Sequence, residues 1–156
     1  MEAAIVTHLH IAPRSFLPMK SQRELKLVTG RGVDGDRYMN ERGFYSDRPE
    51  EGRQVTLFEI ETLEALRRDH AIILMPEEHR RNITTRGTAL NHLVGKKFWV
   101  GNAQLKGTRL STPCRHIEQI TGKEIFNFLL NRSGLHALIL EGSVVRVGDP
   151  ILARED

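Results

Sequence analysis

The clearest pattern along the chain is alternation. In Ile5-Val6-Thr7-His8-Leu9-His10-Ile11, Ile5, Leu9 and Ile11 fall on one side of an extended chain and His8 and His10 on the other, which predicts a half-buried strand with a solvated histidine face. Leu17-Pro18-Met19-Lys20-Ser21 reads as a loop, and Glu24-Leu25-Lys26-Leu27-Val28 as a second strand. Further strands are expected at Val55, over 97–100 and over 103–110. After the apolar run at 72–75 and Pro76, Arg80-Arg81-Asn82-Ile83-Thr84 suggests a strand. Its start would carry anion-binding groups, with Arg80 and Asn82 on one face. An arginine pair taken alone is ordinarily solvated surface.

A helical period takes over within 56–68. Thr56-Leu57-Phe58-Glu59 has the form of a capping box, followed by Ile60, Leu63, Leu66 and Arg67 at helical spacing, so a helix packed on the core is expected through Arg68. Residues 88–94 read as a short helical turn ending at Gly95, and 124–130 as a helix with Ile125, Phe128 and Leu129 inward. Residues 136–140 and 144–147, joined by Glu141-Gly142-Ser143, look like a hairpin, and Gly148-Asp149-Pro150 turns into a last short strand. Many short strands with few helices predict an α+β, mainly β fold with a β-barrel core and short peripheral helices. The whole chain, 1–156, is expected to form one domain.

Gly30-Arg31-Gly32-Val33-Asp34-Gly35 spells G-x-G-x-x-G after a strand, but no apolar helical period follows it, so a dinucleotide-binding fingerprint is rejected. Asp34 and Asp36 lack the other ligands of a calcium loop. The stretch reads instead as a tight glycine turn. It would either set Asp36 and Arg37 at the rim of an anion-binding pocket or hold a surface ion pair. Residues 41–53 form one long polar loop, of the kind that is often functional.

Composition changes this picture little. With 39% hydrophobic and 28% charged residues the chain is ordinary globular material, and no apolar run approaches the roughly 20 residues of a membrane span. The balance of 23 basic against 20 acidic residues favours anionic small ligands, without the basic stripe of a nucleic-acid binder. The N-terminus lacks the layout of a signal peptide, so a cytoplasmic location is expected.

Candidate chemistry centres on the one cysteine, in Ser111-Thr112-Pro113-Cys114-Arg115-His116. Pro113 should stop the strand before it, and 116–120 can begin a helical turn, which sets Cys114 near a helix N-terminus beside Arg115. Those surroundings favour thiolate, the form that attacks electrophiles or binds a soft metal. An inert, buried cysteine is the alternative.

Taken in order, Gly32-Val33-Asp34-Gly35-Asp36-Arg37, Arg53-Gln54-Val55-Thr56-Leu57, Arg80-Arg81-Asn82-Ile83, Thr112-Pro113-Cys114, Gly134-Leu135-His136-Ala137 and Val147-Gly148-Asp149 resemble the MOSC domain, named for the C-terminal domain of molybdenum cofactor sulfurase. The resemblance runs from about Gly30 to the C-terminus. It implies a β-barrel and a molybdopterin-type molybdenum cofactor whose metal takes Cys114 as its protein ligand. It also implies Arg37 and Arg80 for the cofactor phosphate, with Asn82 and Thr112 lining the same pocket. Lys20-Ser21 after Pro18 is similar to the Pro-x-Lys-Ser element of the amidoxime-reducing branch. Residues 43–48 depart from the His- and Gly-rich segment of several relatives, so their substrate specificity does not carry over. The aminotransferase-like desulfurase domain of the full sulfurase is expected to be absent, and pyridoxal phosphate binding is implied by the resemblance only at the level of the wider family.

Three functions are therefore open. The first is a molybdenum-dependent reductase of N-hydroxylated or N-oxide small molecules, fed by a separate electron-donor protein because one cysteine cannot hold a four-cysteine iron–sulfur cluster. The second is a sulfur carrier or sulfurtransferase that takes a persulfide on Cys114 from a sulfur donor. The third is a non-catalytic β-barrel module gripping an anion or partner. A zinc site from Cys114, His116, His8 and His10 ranks behind them. No nucleic-acid or membrane partner is expected.

Overall fold

The computed structural model describes residues 3–13, 17–37, 39, 53–112, 118, 121–123, 125 and 127–154. The described strands are β1 (Ile5–Ile11), β2 (Lys20–Gln22), β3 (Glu24–Val28), β4 (Gly32–Val33), β5 (Val55–Glu59), β6 (Ile83–Arg86), β7 (Lys97–Val100), β8 (Ala103–Leu110), β9 (Leu135–Glu141), β10 (Val144–Arg146) and β11 (Ile151–Leu152). An α-helix, α1 (Ile60–His70), follows β5, Glu118 and Thr121 are also helical, and short 3-10 turns lie at Pro76–Glu78, Leu90–Leu93 and Asn127–Leu129 among the described residues. The core is thus mainly β with few helices, as expected.

Eight strands form one sheet in the order β11-β7-β8-β9-β5-β6-β1-β2, and β10-β3-β4 form a second. The large sheet is not closed into a barrel. Its ends approach through one isolated bridge, Ile5 to Pro150, flanked by backbone bonds such as Ile151 N–H to the Ala4 carbonyl at 2.9 Å. Leu25, Leu27, Val33 and Val145 of the small sheet join Leu9, Leu57, Ile83, Phe98, Leu105 and Leu135 of the large one in a single apolar cluster.

Central strand β5 explains the layering. It pairs parallel with β6 and antiparallel with β9, and Val55, Thr56, Leu57 and Phe58 are all buried. Alternate side chains leave a strand on opposite sides. Leu57 therefore enters the inter-sheet cluster, while Phe58 enters a second one with Leu63 and Leu66 of α1, Leu74, Ile125 and Leu129.

Several local expectations are corrected. The capping box at Thr56–Glu59 is strand; α1 starts at Ile60 behind Glu59, which makes no side-chain capping bond, and Arg67 is exposed. The loop expected over 17–21 contains edge strand β2, paired with β1. In β1 a bulge between Val6 and His8 breaks the alternation, so Val6 and Leu9 are both fully buried and His10, expected on a solvated face, is 2% exposed. The expected hairpin of 136–140 with 144–147 does not form, because β9 pairs with β5 and β8 whereas β10 pairs with β3. The helix expected over 124–130 is a 3-10 turn at Asn127–Leu129 among the described residues, with Phe128 exposed.

Candidate functional site

The segment 79–82, which enters β6, carries the densest buried polar chemistry among the described residues: His79, Arg80, Arg81 and Asn82 are all at most 7% exposed. The expectation that Arg80 and Asn82 share a strand face is overturned, because β6 begins only at Ile83 and Arg80 has φ +68°. The reading of the arginine pair as solvated surface fails as well. A left-handed backbone costs a non-glycine residue about 1–2 kcal/mol, so the surroundings must hold it. Arg37 Nη2 does so by donating to the Arg80 carbonyl at 2.8 Å, and Arg80 Nη1 donates to the Leu17 carbonyl.

Arg37 arrives from the glycine turn. Gly30 and Gly35 have φ of +68° and +84°, and the turn joins β3 to β4 before Asp36 and Arg37. The pair is buried and not a surface ion pair: Asp36 is 0% and Arg37 2% exposed. Arg37 Nη1 donates to Asp36 Oδ1 at 3.1 Å and to Met19 Sδ at 3.4 Å, and the Ala12 N–H donates to the same carboxylate oxygen at 3.2 Å.

Asn82 ties three strands together. Its Oδ1 accepts from the Thr56 N–H and from Thr56 Oγ1, both at 3.1 Å, and its Nδ2 donates to the His10 carbonyl at 3.3 Å. The His10 N–H donates to the Asn82 carbonyl at 2.8 Å, and His10 stands opposite Ser21 in the β1–β2 pairing. Lys20 and Ser21 are exposed on that edge strand. Arg37, Arg80 and Asn82 are thus brought together, with Lys20 and Ser21 adjoining through β1 and Met19.

Three buried residues beside them, His79, His10 and Arg81, were not among those the family resemblance assigns to the cofactor pocket. His79 Nδ1 accepts the Arg81 N–H at 2.9 Å, which leaves the proton on Nε2 to be donated to Thr84 Oγ1 at 2.8 Å. Burial, then the nearby His10, Arg81 and His8, hold His79 well below the ordinary histidine value of 6.5. His10 is lowered too, chiefly by burial, with Glu77 acting against the shift and His8 adding to it. Arg81 Nε donates to the Ser133 carbonyl at 3.0 Å. Its adjacency to Arg80 was the available signal for Arg81; the β1 bulge hid His10.

That bond carries the site towards the cysteine segment. Ser133 adjoins Gly134, whose carbonyl accepts the Ser111 N–H at 2.7 Å. Gly134 has φ +99°, and a Cβ there would lie 2.1 Å from the Leu57 carbonyl, so only glycine fits. Ser111 and Ser133 are buried with hydroxyl groups that have no hydrogen-bond partner among the described residues. Thr112 is exposed, one residue beyond Ser111. Cys114 and His116 lie outside the described residues, as do 41–52 of the long loop. Among the described residues, no cluster of three or more His, Cys, Asp or Glu side chains could hold a metal, and no helix is long and apolar enough to cross a membrane.

A family model described as "MOSC domain" matches residues 33–152, more than half of the chain. Among solved structures, the chain is similar to the YuaD protein from Bacillus subtilis, at 20% identity and a TM-score of 0.79, covering 96% of this chain and 94% of that one. It is also similar to YiiM from Escherichia coli, at 16% identity and a TM-score of 0.68, covering 100% of this chain and 71% of that one. YiiM from Geobacillus stearothermophilus matches at 13% identity and a TM-score of 0.65, over 98% and 74% of the two chains. At these identities the likeness shows the fold alone. No curated protein matches the sequence.

Proposed function

Because the chain belongs to the MOSC domain family, we propose that it binds a molybdenum cofactor and reduces N-hydroxylated or N-oxide compounds, with Cys114 as the metal's protein ligand. The observation that carries this reading is the buried cationic segment. Arg37, Arg80 and Arg81 are concentrated where Asp36 is the one buried carboxylate among the described residues. Positive charge in a low-dielectric surrounding favours an anionic group such as a cofactor phosphate.

The residues present fit such a group. Ser111 and Ser133 hold buried hydroxyls with no partner among the described residues, one on each side of the bond that links Gly134 to the strand leading to Cys114. In this reading Arg80, Lys20 and Ser21 bind the phosphate. Arg37 acts through Arg80 by holding its carbonyl, and Asn82 fixes the segment against β1 and β5. Thr112 lines the pocket beside the cysteine. When bound, the cofactor supplies two-electron oxo-transfer chemistry, and the thiolate of Cys114 is a soft ligand suited to it. The substrate is a small molecule, and a separate protein donates electrons.

The test is metal analysis with pterin fluorescence on protein expressed in a host that makes molybdenum cofactor, comparing wild type with Cys114→Ser. The expected result is molybdenum and pterin in the wild type, molybdenum lost in the variant, and turnover lost with it. Full turnover by Cys114→Ser would rule out the ligation. Absence of both metal and pterin from wild type, where a known molybdoenzyme loads, would turn the assignment towards persulfide transfer or binding alone.

A further inference from the structure

A concave surface lies between the β1–β2 edge and the turn that follows β10. It has a volume of about 670 Å³, within the roughly 300–1,000 Å³ usual for small-molecule sites. Its polar lining comes from Thr7, His8, Ser21, Gln22, Arg23 and Arg146, with no carboxylate among the lining side chains. Leu9 and Val147 supply the apolar part of the wall. Neither Arg37, Arg80 nor Asn82 lines it, so apart from Ser21 it shares nothing with the residues assigned to the cofactor.

We propose that this groove binds a small molecule with one phosphate or carboxylate group on a flat, apolar body. Arg23 sits in the bend between β2 and β3, held there by its carbonyl, which accepts the Val147 N–H at 3.1 Å. Its guanidinium makes no hydrogen bond or ion pair with a described residue, so its donors are open to a ligand. Arg146 Nε meets Glu24 Oε2 at 3.3 Å, with both side chains more than half exposed, a contact of little cost to exchange. The groove thus presents two guanidinium groups beside two acids that do not line it and are already engaged: Glu24 on Arg146 Nε, and Asp149, whose Oδ2 accepts the Arg146 N–H at 2.8 Å.

Histidine geometry adds direction. Thr7 Oγ1 donates its single proton to the Thr84 carbonyl at 3.2 Å and so can only accept from His8 Nδ1 at 3.0 Å. That places the His8 proton on Nδ1 and leaves Nε2 as an acceptor, so the ring meets the ligand body through its face and not by donating to the anion. The His8 ring is stacked on buried His10, with centroids 6.3 Å apart and planes 12° apart, and so is braced on its inner side. A flat ligand body could lie along that ring while the anion meets Arg23 and Arg146.

The test is calorimetric titration of the full chain with phenyl phosphate, benzoate and phenol. Saturable one-to-one binding is expected for the two anions, not for phenol, and the tighter anion identifies the head group. Arg23→Gln and Arg146→Gln should each weaken binding by about tenfold, as the loss of a charge-assisted hydrogen bond does. Arg67→Gln on α1 should change nothing. Unchanged affinity in Arg23→Gln/Arg146→Gln, equal weakening in Arg67→Gln, or no saturable binding of either anion would overturn the proposal. Arg23→Gln should also leave molybdenum content at the wild-type level. A parallel loss of molybdenum would show that the groove is part of the cofactor site, and that too would overturn it.

Discussion

Leu57 and Arg37 are buried to the same degree, 0% and 2% exposed, yet they are held by different physics. Around Leu57 the surroundings are apolar from both sheets, and what matters there is filled volume. Around Arg37 the described polar contacts have a direction: a carbonyl at 2.8 Å, a carboxylate at 3.1 Å and a thioether at 3.4 Å. A region of the first kind loses stability in proportion to what is removed. In one of the second kind, the loss depends on what is left behind without a partner.

The largest effects should come from breaking that difference deliberately. Arg37→Met keeps bulk but strands the buried Asp36 carboxylate and the Arg80 carbonyl, and should cost about 3–5 kcal/mol in urea unfolding. Asp36→Asn/Arg37→Met removes the stranded charge and should recover a clear part of that loss. Leu57→Ala should cost about 2–5 kcal/mol, with no second polar change able to restore it. If the double variant is no more stable than Arg37→Met, the directional account of this region is wrong.

Next in size is a pH effect confined to the polar region. His79 and His10 are both lowered in the folded protein, mainly by burial. Below the ordinary value of 6.5 the unfolded chain binds protons that the folded chain does not, so their contribution is complete above about pH 6.5 and is lost as pH falls below it. Each histidine can contribute up to about 1.4 kcal/mol per pH unit across that window. Glu59 works in the opposite sense: burial raises its carboxyl above the ordinary 4.5, so it favours the folded state less as pH rises through that range. Unfolding midpoints between pH 7.5 and 5.5 should therefore fall, and His79→Gln should show a shallower slope whatever its absolute stability. An equal slope in the variant would remove His79 from the account.

The same contrast separates what was legible in the sequence from what was not. β1, β3, β7 and β8 were read with their bounds, because alternating apolar residues mark an extended segment without knowledge of distant partners, although the bulge in β1 hid which of its side chains are buried. The capping box at Thr56 failed because its hydroxyl serves Asn82, 26 residues away in sequence, in place of a helix end. Edge strand β2 has no apolar alternation to announce it, and the β9–β10 turn carries hairpin chemistry although its two strands part to different sheets. At the site, Arg37, Arg80 and Asn82 were picked by family motif and do converge. Their burial, and the left-handed backbone at Arg80, depend on bonds from Arg37 and Leu17 that no local window contains. The reading of Cys114 falls on residues outside the description.

The smallest predicted effect sharpens the comparison from the other side. Arg86 closes β6 and meets Glu64 of α1 at 3.3 Å, with the two side chains 39% and 55% exposed. It is the same residue type as Arg80 and Arg81, a few positions further along the same segment, but in water. The attraction there is screened, and fixing two long side chains in one geometry costs entropy that offsets much of it. Arg86→Gln should therefore shift stability by no more than about 0.5 kcal/mol, and raising salt should shrink even that. If it cost as much as Arg37→Met, burial and stranded partners would not be what sets the polar region apart, and sensitivity would instead belong to arginines on this sheet in general.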